Sequence, residues 1–136
     1  MNRGGSEAIS LEPIATECVK LVAEQFGRSL DWSIESLTEL DAVCVDLLAD
    51  GPLGEKRLDL WWKLIGAYTG EVVIRAYNGQ WIQHESSTGA PGISALGVTG
   101  FPFNIANKIL TGEEFKSLAS FARALPVIAE RQTGQA

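Results

Sequence analysis

The sequence predicts a single α+β domain of about five helices packed around a small two-stranded antiparallel ribbon. Three observations lead there. Apolar residues recur at helical spacing in three separate stretches before residue 78. Two short β-type runs then fall in a segment punctuated by Gly, Asn and Pro, between residues 78 and 100. Helical spacing returns after that, as far as about residue 125. The 136 residues make one domain, 1–136, with 46% hydrophobic and 21% charged residues, a balance that argues against disorder. Residues 1–9 and 132–136 are expected to be flexible ends.

The first helix opens at Pro13, which a first turn tolerates, and stops at Gly27. Ile14, Cys18, Leu21, Val22 and Phe26 form its apolar face. After a short link Ser33 offers an N-cap oxygen to a second helix. Its stripe is Ile34, Leu37, Leu40, Cys44, Leu47 and Leu48, and Asp50-Gly51-Pro52 ends it. A third helix starts near Gly54-Glu55. Leu58, Trp61, Trp62, Ile65, Tyr68 and Val72 give it a surface broad enough to be buried on more than one side. Gly66 and Gly70, four apart on one face, allow a neighbouring element to approach closely.

Beyond Val72 the pattern has two readings. Residues 72–77 and 80–85 flank Asn78-Gly79, which suits a type I′ hairpin turn. The same pair would cap a helix continuing to Tyr77, and Glu71 with Arg75 is spaced for a helical i,i+4 pair. Residues 81–85 read as a strand either way, 86–92 as a loop and 93–98 as the second strand. Asn104 is placed to cap a short helix ending at Leu110. Thr111 with Glu114 fits a capping box for the last helix, with Phe115, Leu118, Ala119, Ala122 and Leu125 as its apolar face. Pro126 should end or kink it. The expected core is Leu21, Val22, Leu37, Leu40, Leu47, Leu58, Ile65 and Leu118.

Gly66-Ala67-Tyr68-Thr69-Gly70-Glu71, Trp81-Ile82, the run from Phe101-Pro102-Phe103 to Lys108, and Thr111-Gly112-Glu113 carry a resemblance. Together they resemble small bacterial domains of unknown function with a long GAYxGE helix, a Trp-bearing strand, a second strand and an FPxxxxxK…GE helix. The resemblance spans residues 30–125 and implies an α+β fold with a helix continuous to about Tyr77. It implies no established reaction and supplies no catalytic residue.

No apolar run of signal-peptide kind follows Met1, and no window approaches the length of a membrane span. The expectation is a cytoplasmic chain without membrane association. Cys18 and Cys44 lie on apolar helical faces and read as reduced core thiols. With 11 Lys and Arg against 17 Asp and Glu, the net charge of −6 disfavours binding to nucleic acid. Nucleotide-loop and hydrolase motifs are absent, and the one histidine excludes sites needing two imidazoles, so no cofactor and no metal are expected.

The charge distribution is uneven. Residues 1–50 carry ten acids against three bases, and no Lys or Arg occurs from Ser29 through Glu55. On an unbroken helix Glu35, Glu39, Asp46 and Asp50 would fall within a sector of about 60°. An acidic stripe of this kind either solubilises the chain or docks a basic protein. The docking reading makes the chain a non-enzymatic protein-interaction module, an immunity-like or inhibitor role being one form of it. Trp62 is its candidate exposed anchor, because adjacent Trp61 and Trp62 cannot both face one core. The alternative is a small-molecule site or weak enzyme in a cleft between the third helix and the ribbon. That site would use Tyr68, Glu71, Trp81 and His84, with Glu71 either buried and functional or paired with Arg75.

Overall fold

Two residues in the left-handed conformation set the lengths of two helices. The structure, a computed structural model, describes residues 11–83 and 90–134. Helix α1 (Glu12–Phe26) ends at Gly27, whose φ of 65° turns its N–H onto the Ala23 carbonyl. Helix α3 (Glu55–Tyr77) ends at Asn78, with φ 54°. The N–H groups of Asn78 and Gly79 both reach the Ile74 carbonyl. Asn78-Gly79 is therefore a helix cap and not a hairpin turn, and residues 71–77 are helical. Between them lies α2 (Ser36–Leu47). Ser33 serves its start as expected, its Oγ accepting the Ser36 N–H at 3.1 Å.

The sheet is antiparallel and has three strands where the sequence suggested two: β1 (Gln80–Ile82), β2 (Gly92–Ala95) and β3 (Val98–Gly100), in that order. Trp81 pairs with Ile93, and Ile93 with Gly100. The single strand expected over 93–98 is folded back on itself at Leu96-Gly97, where φ is 57° and 76°. Two consecutive positive φ values are the signature of a type I′ turn. Leucine is a poor residue for it, because its Cβ crowds the carbonyl at a cost of about 1–2 kcal/mol. Leu96 is also half exposed and so gives little burial in return. Leu96→Asn should therefore raise stability by about 1 kcal/mol. A urea midpoint that stays put or falls would refute this strain.

Helix α4 (Pro102–Leu110) follows the sheet, and α5 (Leu118–Gly134) closes the described chain. The capping box expected at Thr111 and Glu114 does not form. The Thr111 hydroxyl instead donates back to the carbonyls of Asn107 and Lys108, at 2.9 and 3.2 Å, and closes α4. The cap of α5 comes from α2, whose Asp41 reaches across the fold. Its carboxylate accepts the N–H of Leu118 at 2.7 Å, the N–H of Ala119 at 3.3 Å and the Ser117 hydroxyl at 2.8 Å. Phe115, expected on the apolar face of this helix, is left outside it with φ 63° and a fully exposed side chain.

Pro126 neither ends nor breaks α5. A proline supplies no N–H, so the Ala122 carbonyl one turn earlier lacks its helical donor. Tyr77 fills that vacancy from α3, its hydroxyl donating to the Ala122 carbonyl at 3.2 Å.

Helix α3 runs through the centre. It packs most extensively against α4 and α1, while α2 leans on α5 and the sheet covers part of α3. The adjacent tryptophans serve two layers. Trp61 is buried edge-on against Phe26 of α1, with ring centres 5.7 Å apart. Half-buried Trp62 meets Phe103 of α4 edge-on at 5.6 Å. Phe103 approaches so closely because position 66 is glycine: a Cβ there would stand 2.9 Å from the Phe103 Cα. Val22, Leu37, Leu40, Leu47, Ile65 and Leu118 are buried as expected, whereas Leu21 and Leu58 are only half-buried at its edge.

Candidate functional site

Glu71 and Trp81 come together as packing, whereas Tyr68 packs with Trp32 and Ser36 and is linked to that pair through Arg75 over the Trp32 ring. Gly70 leaves room for the Trp81 indole to lie against α3; a Cβ there would overlap the ring. From that position Trp81 Nε1–H donates to Glu71 Oε2 at 2.8 Å. The other Glu71 oxygen stands 4.0 Å from Arg75 Nε. Arg75 also donates to Glu12 at 2.8 Å and lies 3.9 Å over the Trp32 ring. Tyr68 is fully buried, and its oxygen accepts the Trp32 N–H at 2.8 Å. Ser36 gives its only proton to the Ser33 carbonyl, so Tyr68 is the donor in the 2.6 Å contact between their hydroxyls. Burial raises the Tyr68 pKa against the smaller opposing pull of its Ser36 and Trp32 hydrogen bonds. It is a neutral phenol that fixes the link before α2. The indole fills the space between α3 and β1, and His84 lies outside the described residues.

The acidic stripe is interrupted. Helix α2 ends at Leu47, so Asp50 sits in the turn beyond it and helical spacing does not place it. Glu39 is not isolated, because Arg28 from the α1–α2 link reaches it at 2.8 Å. Glu35, Asp46 and Asp50 are exposed and make no ion pair among the described residues. Burial raises the Tyr77 pKa, the Arg123 guanidinium works against it, and the Glu35 carboxylate adds a smaller push upward. Carboxylates without local counter-charge thus remain at the C-terminal end of α2.

Trp62 belongs to a different surface. It lines a small cavity of about 220 Å³ with Phe103, Asn104 and Asn107 of α4. On that helix Asn104 and Asn107 are separated from Ile109, which faces α2, by at least about 140°. The Trp62 cavity and the side of α4 that faces α2 therefore lie on different faces of that helix.

A larger recess opens where α2 meets the α4–α5 link. It measures about 410 Å³, and Val45, Leu48 and Ile109 supply apolar walls. Glu113 and Lys116, 3.6 Å apart, stand on its rim, with Asp41 inside, committed to the start of α5. A second hollow of about 220 Å³, lined by Pro52 and Leu110, adjoins it through Leu48 and Gly112. Val45 is 70% exposed, and Phe115, in the same link as Glu113 and Lys116, is 101% exposed. Sequence periodicity hid this patch, because it placed Phe115 on the apolar face of the last helix.

Cys44 also borders the recess, yet its thiol is pushed up to about 12, first by burial and then by the Asp41 carboxylate. Burial, with Cys44 nearby, raises Cys18 as well. Both thiols are free and buried. Among the described residues no cluster of His, Cys, Asp and Glu is arranged to hold a metal ion. No helix there is long and apolar enough to cross a membrane. In comparisons with protein-family models, curated proteins and solved structures, nothing matches this chain.

Proposed function

We propose that this chain is a protein-interaction module whose contacts are organised around α2, with a basic protein docking on the acidic side of that helix. The observation that carries the reading is Phe115, a fully exposed phenylalanine beside an apolar recess in which Val45 is also exposed. Large apolar side chains exposed around such a recess favour a protein contact over solvent. The partner's charge is read from Glu35, Asp46 and Asp50, which stay exposed and unpaired among the described residues while Glu39 is held by Arg28. Asp46 lies about 100° around α2 from Val45 and about 160° from Cys44. The helix thus presents an acidic flank separate from the recess.

Asp46→Lys with Asp50→Lys tests the charged part, since neither residue supports the fold. Pull-downs from the source organism's lysate at low and high salt should retain a basic protein at low salt and release it at high salt. At low salt the double variant should retain at least about tenfold less of it, consistent with lost charge complementarity. Equal retention by wild type and variant would sink the acidic docking reading.

A further inference from the structure

We propose that the recess beside α2 is filled by a second copy of this chain, each copy inserting its Phe115 into the other's recess across a two-fold axis. The inference rests on the reading of the chain as an interaction module and names the occupant of its apolar side.

The knob and the rim of the hole are supplied by one short stretch of one molecule. Phe115 projects fully into solvent from the link whose Glu113 and Lys116 form the rim of the recess. A foreign partner would have to supply both a protrusion to fill the recess and a pocket to receive Phe115. A two-fold related copy supplies both, because an isologous contact matches a surface to itself. The rim is suited to this as well. Glu113 and Lys116 carry opposite signs, are half-exposed and are only loosely paired at 3.6 Å. A two-fold operation can therefore set Lys116 of one copy against Glu113 of the other.

The net charge of −6 opposes self-association in general. Here exposed Asp46 lies on the other flank of α2, and none of Glu35, Asp46 and Asp50 lines the recess. They would be carried outward in the dimer and stay open to a basic protein. The two insertions supply about half of the area that a standard interface buries. One inserted Phe buries roughly 150–250 Å² of its own surface. Two insertions with the walls they cover therefore remove on the order of 800 Å². The surrounding rims need add only the remainder of a standard interface of about 1,600 Å².

Phe115→Asn is the informative substitution. Asparagine tolerates the φ of 63° better than phenylalanine does, so the variant should be at least as stable as the wild type while lacking the knob. Val45→Asp puts a charge into the recess wall at a residue already 70% exposed. Sedimentation equilibrium of the purified full chain, from micromolar to several hundred micromolar, should show twice the 14.7 kDa chain mass. Each variant should raise the dissociation constant by at least about 30-fold, as expected for a hot-spot side chain. A wild type that stays monomeric throughout overturns the proposal, and so does a dimer that neither variant weakens. A monomeric wild type whose capture of another protein requires Phe115 also overturns it, by assigning the recess to a foreign partner. Loss of the basic partner in the Asp46 and Asp50 variant is read separately, so failure of the dimer and failure of the acidic docking surface are distinct results.

Discussion

Asp41→Ala is expected to cost about 2–3 kcal/mol, a large effect for a single polar side chain. Three donors lose their acceptor at once: the backbone N–H groups of Leu118 and Ala119 and the Ser117 hydroxyl. The first two belong to the opening turn of α5, where no intrahelical carbonyl can replace the carboxylate. The charge matters in addition, because a carboxylate at a helix N-terminus opposes the positive end of the helix dipole. Asp41→Asn keeps one carbonyl oxygen and no charge, so it should recover about half of the loss. Equilibrium urea unfolding of the three proteins measures this series. An alanine variant within about 0.5 kcal/mol of the wild type would show that solvent or Ser117 caps α5 adequately alone.

Gly66→Ala comes next, with an expected net loss of about 2 kcal/mol and a fall of roughly 6 °C in Tm. Two effects compete. Alanine favours the helix over glycine by about 1 kcal/mol. Against that, the new methyl would stand 2.9 Å from the Phe103 Cα and overlap its ring. The ring could turn aside, but the backbone of α4 cannot move without disturbing the most extensive helix–helix contact in the fold. Overpacking should therefore win. Thermal unfolding followed by circular dichroism decides between the two effects, and an unchanged or higher Tm would mean that α4 shifts freely.

The close approach that makes Gly66 sensitive was legible in the sequence, since two glycines four apart on one face of a broadly apolar helix weaken that helix unless a neighbour packs against them. So was the start of α2, where Ser33 had no competing role. Asn78-Gly79 was readable only as a fork, because both a hairpin and a helix end require a left-handed residue there. The features that escaped share a cause. Leu96 turns the chain although leucine carries no turn signal, beside Gly97 and between the paired β2 and β3. Phe115 has the spacing of a core residue relative to Leu118, Ala119 and Ala122. Spacing is silent about where a helix begins, and the cap that fixes the first turn lies 77 residues away at Asp41. The acidic stripe was overdrawn for a similar reason. Its geometry assumed an unbroken helix to Asp50, and no local pattern shows that Arg28 folds back onto Glu39.

The bond from Tyr77 to the Ala122 carbonyl bears on the order of events in folding. Helix α5 owes its opening amides to a side chain on α2 and its mid-helix carbonyl, orphaned by Pro126, to one on α3. Neither support exists until those helices are in place, so residues 118–134 cannot nucleate early by themselves. They should join late and leave first, as one cooperative unit. In native-state hydrogen exchange the amides of α5 should then share a single opening energy, below that of α3.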